Sequence, residues 1–269
     1  MVLVPVLLSL VVIWYVLRAV AVASLPVRRL VGRWSVWTGR AHAWVMSAPA
    51  TFTYMAIFTA STTLQRNAPP RLITLLTTLQ STNLARLSTK PLVVLTSSAL
   101  WVANRGAGLS LYLVVFATLV AWAERRYGTP RIVLIGVTGH VLGSLLTAAV
   151  ELHAIRDGHA PQSLAMSTDV GVSYIMVAGC AAAVLAMRGR TRAVFALLLV
   201  AGIVTPLVIN RTVWDLGHLL ATTCGLAMAA LTLIIRPLRT PVDVDDLARH
   251  LRRRPPTNQM SSSLSRFAL

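Results

Sequence analysis

The chain has 269 residues, of which 56% are hydrophobic and 12% charged, and its mean hydropathy is +0.70. So low a charged fraction excludes an ordinary soluble domain, where about a quarter of the residues carry charge. The formal charge of +17 would suggest nucleic acid in a soluble chain. Here the basic residues fall between apolar runs, where they orient a membrane protein, so nucleic acid is not expected as a partner.

A helix that crosses about 30 Å of hydrocarbon needs roughly 20 mostly apolar residues. In chain order such runs lie near 2–24, 43–64, 107–123, 132–150, 170–187, 193–210 and 213–235, which predicts an all-α, multi-pass membrane protein. The first run has no basic segment ahead of it and no evident cleavage site before "LPVRRL", so it reads as a retained helix. Arg28, Arg29, Arg33 and Arg40 follow it; placing them in the cytoplasm puts the N-terminus outside. By the same rule "ERRYGTPR", "RGRTR" and the tail from Arg236 are cytoplasmic, and the stretches "ELHAIRDGHAPQSLAMSTD" and "NRTVWD" are external. The expected location is the plasma membrane, with a cytoplasmic C-terminus.

Residues 65–106 carry Arg66, Arg71, Arg86, Lys90 and Arg105, yet this parity requires them to be external. Their apolar stretch "PLVVLTSSALWVA" is short for a span and suits an interfacial or re-entrant helix. The tail 237–269 is polar and basic, expected to be flexible and to touch anionic lipid headgroups. Trp14, Trp34, Trp37, Trp44, Trp101, Trp122 and Trp214 sit mostly at span ends, as interfacial anchors do. No period of 20–50 residues recurs, which leaves a transporter reading without support. Cys180 and Cys224 lie in apolar runs as packing residues, and His153, Asp157 and His159 match no metal-ligand spacing, so no metal or cofactor is expected.

Ionisable groups in hydrocarbon cost on the order of 2.5–3.5 kcal/mol on insertion scales, so each one invites a functional question. The set comprises Arg18, Glu124, His140, Asp169, Asp215 and His218. His140 reads as a packed or water-linked histidine. "STDVGVSYIM" places Ser173 near the outer end of one span, and "NRTVWDLGHLL" places His218 about one turn into the last span from the same side. Ala221 and Gly225 give the His218 helix a face of small residues, and Gly171, Ala178 and Gly179 do the same for the Ser173 helix, so close approach is expected. Two readings stay open. In one, the imidazole takes the serine proton during attack on a carbonyl, with free N–H groups of the first helical turn as oxyanion donors. In the other, Ser173 bonds back to its own helix and His218 is an interhelical contact. Asp215 and Asp169 either orient these side chains or cap their helices.

These residues resemble the motifs of the rhomboid superfamily of intramembrane serine proteases. "GVSY" is similar to G-x-S-G, with Gly171 and Ser173 matching and Tyr174 in place of the last glycine. "GHLLATTCG" is similar to H-x-x-G-x-x-x-G, with His218 and Gly225 matching and Ala221 standing for the first glycine. "AERRYGTPR" resembles L-E-x-x-x-G-S through Glu124 and Gly128. The resemblance covers 43–235 and implies a six-helix core there. Residues 1–42 are then an additional transmembrane helix with a basic cytoplasmic linker, and 236–269 a basic tail. It further implies Ser173 as nucleophile, His218 as general base, no cofactor, a membrane-embedded first loop within 65–106, and transmembrane helices as substrates.

The departures are equally specific. The family's H-x-x-x-N positions, whose side chains help bind the oxyanion, fall on Gly108 and Tyr112, and no W-R pair appears in the first loop. With "STNL", "DVGVSY" and "WDLGH", the pattern resembles divergent actinobacterial rhomboid-like membrane proteins. The alternative function is therefore a catalytically inactive relative that binds transmembrane helices as clients.

Overall fold

The computed structural model describes residues 3–103, 106–241 and 243–253, and no strand occurs among them. Two compact units divide the chain: Met1–Ser47 with Pro241–Leu269, and Ala48–Thr240.

In the first unit the leading apolar run forms α1 (Leu3–Val20). Just beyond its end, the carbonyls of Ala21 and Val22 accept from the Arg28 guanidinium at 3.2 and 3.0 Å. The basic linker expected after α1 is itself a helix, α2 (Leu25–Met46). Its spacing explains why: Leu30, Trp34, Trp37, Ala41 and Trp44 recur along one face, with Arg29, Arg33 and Arg40 beside it. The run expected over 43–64 is broken at Ala48, because Pro49 cannot donate a backbone hydrogen bond and drives the residue before it out of helical geometry. Ala48 accordingly sits at φ −137°, ψ 61°.

The second unit opens with α3 (Pro49–Asn67), followed by α4 (Pro70–Leu79), α5 (Leu84–Leu87) and α6 (Pro91–Ser98). Prolines in the first turn start α3, α4 and α6, where the missing N–H costs nothing. α6 has eight residues, about 12 Å of helix, far short of a bilayer crossing. Then α7 (Leu109–Val115), a π-helical turn (Phe116–Val120) and α8 (Ala121–Tyr127) run on as one rod. The remaining helices are α9 (Thr129–Arg156), α10 (Val172–Ala186), α11 (Gly189–Ile209) and α12 (Val213–Ile235). Among the described residues α9, α11 and α12 are long and apolar enough to cross a membrane, and α10 is a shorter apolar helix.

α10 lies in the middle, packed against the α7–α8 rod, α9, α11 and α12. Small residues set how closely it is held. A Cβ added at Gly139 or Gly225 would come 2.4 or 2.5 Å from the Ala178 Cβ, so Ala178 is pinched between α9 and α12. Ala221, buried with Tyr174 and Val177, also meets α9, where a Cβ at Gly143 would come 2.9 Å from its own, and Gly179 makes room for Val120 of the π turn. Without aqueous hydrophobic driving force between helices in lipid, such backbone proximity supplies much of the packing.

Glu124, almost wholly buried, ties α3 to α8 and α9. Its carboxylate accepts from the Ala50 and Thr51 backbone amides at 3.0 and 2.8 Å and from the Thr129 hydroxyl at 2.7 Å. The first free N–H groups of α3 thus find an anion, as a helix N-terminus favours. Gly128 between α8 and α9 adopts φ +86°, a left-handed conformation, and a Cβ there would strike the Arg239 guanidinium.

The tail is not irregular throughout. In the first unit α13 (Val244–Arg253) packs on α2, where Arg40 pairs with Asp245 at 2.6 and 3.3 Å. Residues 254–269, which carry the end of the basic tail, lie outside the described residues.

Candidate functional site

The segment before α10 is stitched on three sides. The Thr82 amide donates to the Asp169 carbonyl at 3.0 Å, the Gly171 amide to the Ser98 carbonyl at 2.9 Å, and the Trp214 indole to the Thr168 carbonyl at 2.8 Å. Residues 81–98 and the start of α12 therefore fix where α10 begins. Gly171 occupies the N-cap position of α10 with no side-chain cap. A Cβ there would come 2.1 Å from the His140 ring, so only glycine lets that ring pass.

Tyr174 stands at the centre of the site. It is fully buried, its hydroxyl donates to Asp169 Oδ2 at 3.0 Å, and its ring meets His218 edge-on, with centroids 5.4 Å apart. His140 lies on its other side at 6.3 Å. Gly217 supplies the space for the phenol at the α12 surface.

Ser173 and His218 are both partly exposed near the start of their helices. Among the described residues no hydrogen bond joins them. The ring partner of His218 is Tyr174. The small-residue faces do meet, through Gly225 and Ala178, and Ala221 packs both with Tyr174 and Val177 of α10 and against Gly143 of α9.

Asp215 caps α12 in a reciprocal capping box with Thr212: the Thr212 amide donates to Asp215 Oδ2 at 3.1 Å, and the Asp215 amide to Thr212 Oγ1 at 3.3 Å. Asp169 does not cap α10. It sits too far ahead of the first turn, and its carboxylate instead accepts from the Thr82 hydroxyl at 3.0 Å and from Tyr174. Burial pushes the Asp169 carboxyl up to about 6, against the pull of those hydrogen bonds.

His140 is buried against the end of α6. Its Nε2 lies 2.8 Å from the Leu95 carbonyl and 3.3 Å from the Ser98 hydroxyl. A carbonyl can only accept, so Nε2 carries the proton and Nδ1 is left as an acceptor, buried and without a partner. Three further polar residues lie along the same face of α9, Ser144, Thr147 and Glu151, each more than nine-tenths buried. Their 4-3-4 spacing is a readable signal of one polar stripe on an otherwise apolar helix. Ser98, by contrast, carries no pattern that announces its role.

A family model described as rhomboid-like protein matches residues 43–237. No curated protein matches the chain, and no solved structure does.

Proposed function

The chain belongs to the rhomboid-like family, and we propose that it is a multi-pass membrane protein that binds transmembrane helices without cutting them. The observation that carries this reading is Tyr174, whose buried ring is the partner of His218, with its hydroxyl held by Asp169. A general base must reach the proton it removes, directly or through one water. Here the imidazole faces a phenol ring, and among the described residues no hydrogen bond joins it to Ser173.

In this reading α3, the α7–α8 rod and α9 to α12 form a six-helix core over 43–235, α1 is the additional span, and 236–269 is a basic cytoplasmic tail near anionic headgroups. The N-terminus is outside and the plasma membrane is the location. A client helix lies along α11, which packs on α10 and α12 yet buries only Ile203. Leu197, Leu198 and Val200 on its open side offer apolar contact to such a helix.

One observation favours a second reading, hydrolysis by Ser173 with His218 as base. Ser173 and His218 are both partly exposed at the starts of adjoining helices, and Tyr112 on α7 stands at a position that matches an oxyanion-binding residue of rhomboid proteases. That reading requires the Tyr174 ring to leave His218.

A serine-directed fluorophosphonate separates the two. The purified protein is expected to show no adduct at Ser173 by mass spectrometry, under conditions that fully modify an active serine protease. An adduct on the unmodified chain that disappears in Ser173→Ala would establish hydrolysis instead.

A further inference from the structure

Where α8, α9 and the end of α12 come together, arginines gather around the connection at Gly128. Arg131, in the first turn of α9, acts as a clamp: its guanidinium donates to the carbonyls of Tyr127, Thr232, Arg236 and Pro237. It also lies over the Tyr127 ring, with Cζ 5.5 Å from the centroid. The chain leaving α12 is thereby held against α8, and the Arg239 amide donates to the Arg126 carbonyl at 2.8 Å. The Arg239 guanidinium packs on Gly128, where a Cβ would come 2.5 Å from its Cζ. Two guanidinium groups thus sit against the adjacent residues Tyr127 and Gly128, and Arg126 and Arg236 belong to the same two stitched segments.

This assembly has no anion of its own. The four bonds of Arg131 go to neutral carbonyls, which leaves one N–H and the full positive charge uncompensated. Among the described residues no carboxylate pairs with Arg126, Arg131, Arg236 or Arg239. Glu124, one turn before Gly128, is committed to the Ala50 and Thr51 amides and the Thr129 hydroxyl. Arg126 Nε and the hydroxyl of the fully buried Tyr127 have no hydrogen-bond partner. Like charges so gathered repel one another, and buried polar groups left unpaired are costly, so the arrangement calls for a negatively charged acceptor. A charge bias that only orients spans needs basic residues in the loop, and no such fixed geometry.

We propose that this cluster binds the phosphate of an anionic phospholipid, with Arg131 and Arg239 at its centre. Guanidinium groups take phosphate oxygens through paired N–H donors. The apolar surface beside the cluster points to a lipid as the bearer of that phosphate. Ile234 and Ile235, immediately before Arg236, are 83% and 78% exposed, and Val133 and Leu134, just after Arg131, are each 47% exposed. Acyl chains lie along these ends of α9 and α12, which pack on each other, while the phosphate sits at the arginines. The lipid supplies the missing charge and holds the connection between α8 and α9 to the chain leaving α12. The site rests on the reading of the chain as a membrane protein and is indifferent to whether clients are cut.

The test is thermal unfolding of the full chain in detergent with added phosphatidylglycerol, phosphatidylcholine or soluble glycerol phosphate, at equal ionic strength. Phosphatidylglycerol is expected to raise Tm by roughly 2–5 °C over phosphatidylcholine, and glycerol phosphate to leave it unchanged. Arg239→Gln, at an exposed position, should at least halve the gain, and Arg126→Gln combined with Arg239→Gln should abolish it. Replacing Arg252, Arg253 and Arg254 of the basic tail by Gln should leave the gain intact. Equal Tm in the two lipids overturns the proposal, and an equal gain with glycerol phosphate overturns the lipid as the source of the phosphate. A gain of full size in Arg239→Gln overturns the location. If the tail variant alone removes the gain, the contact of the tail with headgroups stands and this site falls.

Discussion

Gly217→Ala is expected to destabilise the folded protein by about 3 kcal/mol or more. The added Cβ would lie 1.6 Å from the Tyr174 hydroxyl and 2.4 Å from the ring carbon that bears it. Tyr174 has nowhere to retreat, being fully buried with its hydroxyl on Asp169. Overpacking a core typically costs about 1–3 kcal/mol, and losing a hydrogen bond to a charged group costs about 1.5–3 kcal/mol. The cause is checked by a double-mutant cycle. Tyr174→Phe removes the oxygen nearest the new methyl, so Gly217→Ala should cost ~1–2 kcal/mol less in the Phe background than in the native one. Additive losses in a chemical unfolding series would show that the two side chains do not meet.

Glu124→Ala is expected to cost a similar amount, about 3–5 kcal/mol, for a different reason. Three donors converge on that carboxylate from α3 and α9. Removing the acceptor leaves the Ala50 and Thr51 amides and the Thr129 hydroxyl short of a partner in a buried place, each worth about 1–3 kcal/mol and not fully additive. Glu124→Gln keeps one acceptor oxygen but turns an amide N–H2 toward other donors, and should fall between the two. Stabilities of both variants within ~0.5 kcal/mol of the native chain would contradict this account.

These two sites also show what the sequence makes legible. Glu124 and Gly128 stand out by motif, and their packing follows from ordinary chemistry: a buried anion seeks helix N-termini, and a tight connection needs positive φ. The helical runs are equally readable wherever apolar length sets them, as in α9, α11 and α12. The break at Ala48 is encoded in Pro49, but the hydropathy of the surrounding run conceals it. α2 is hidden by its arginines, which lower its mean hydropathy while leaving an aromatic face intact.

The candidate site is harder to read. Ser173 and His218 are placed by sequence near the same end of two neighbouring helices, and α10 does pack on α12. Which side chain meets the imidazole is decided by rotation of α10 about its axis, and one residue changes the facing direction by about 100°. Tyr174, the next residue, takes the contact because Gly217 opens the space and Asp169 anchors the hydroxyl. Asp169 itself draws its partners from residue 82 and residue 174, a convergence that no local pattern expresses.

The most direct test of the central claim is to reconstitute the full chain in liposomes with a single-span model client whose outer segment is glycine-rich and readily unwound. A photo-crosslinking residue replaces Leu197 on the open side of α11. Binding without cleavage predicts a light-dependent adduct containing the client at full length, with no fragment formed over prolonged incubation. A client fragment that forms in the native chain and not in Ser173→Ala, or the absence of any adduct, would contradict it.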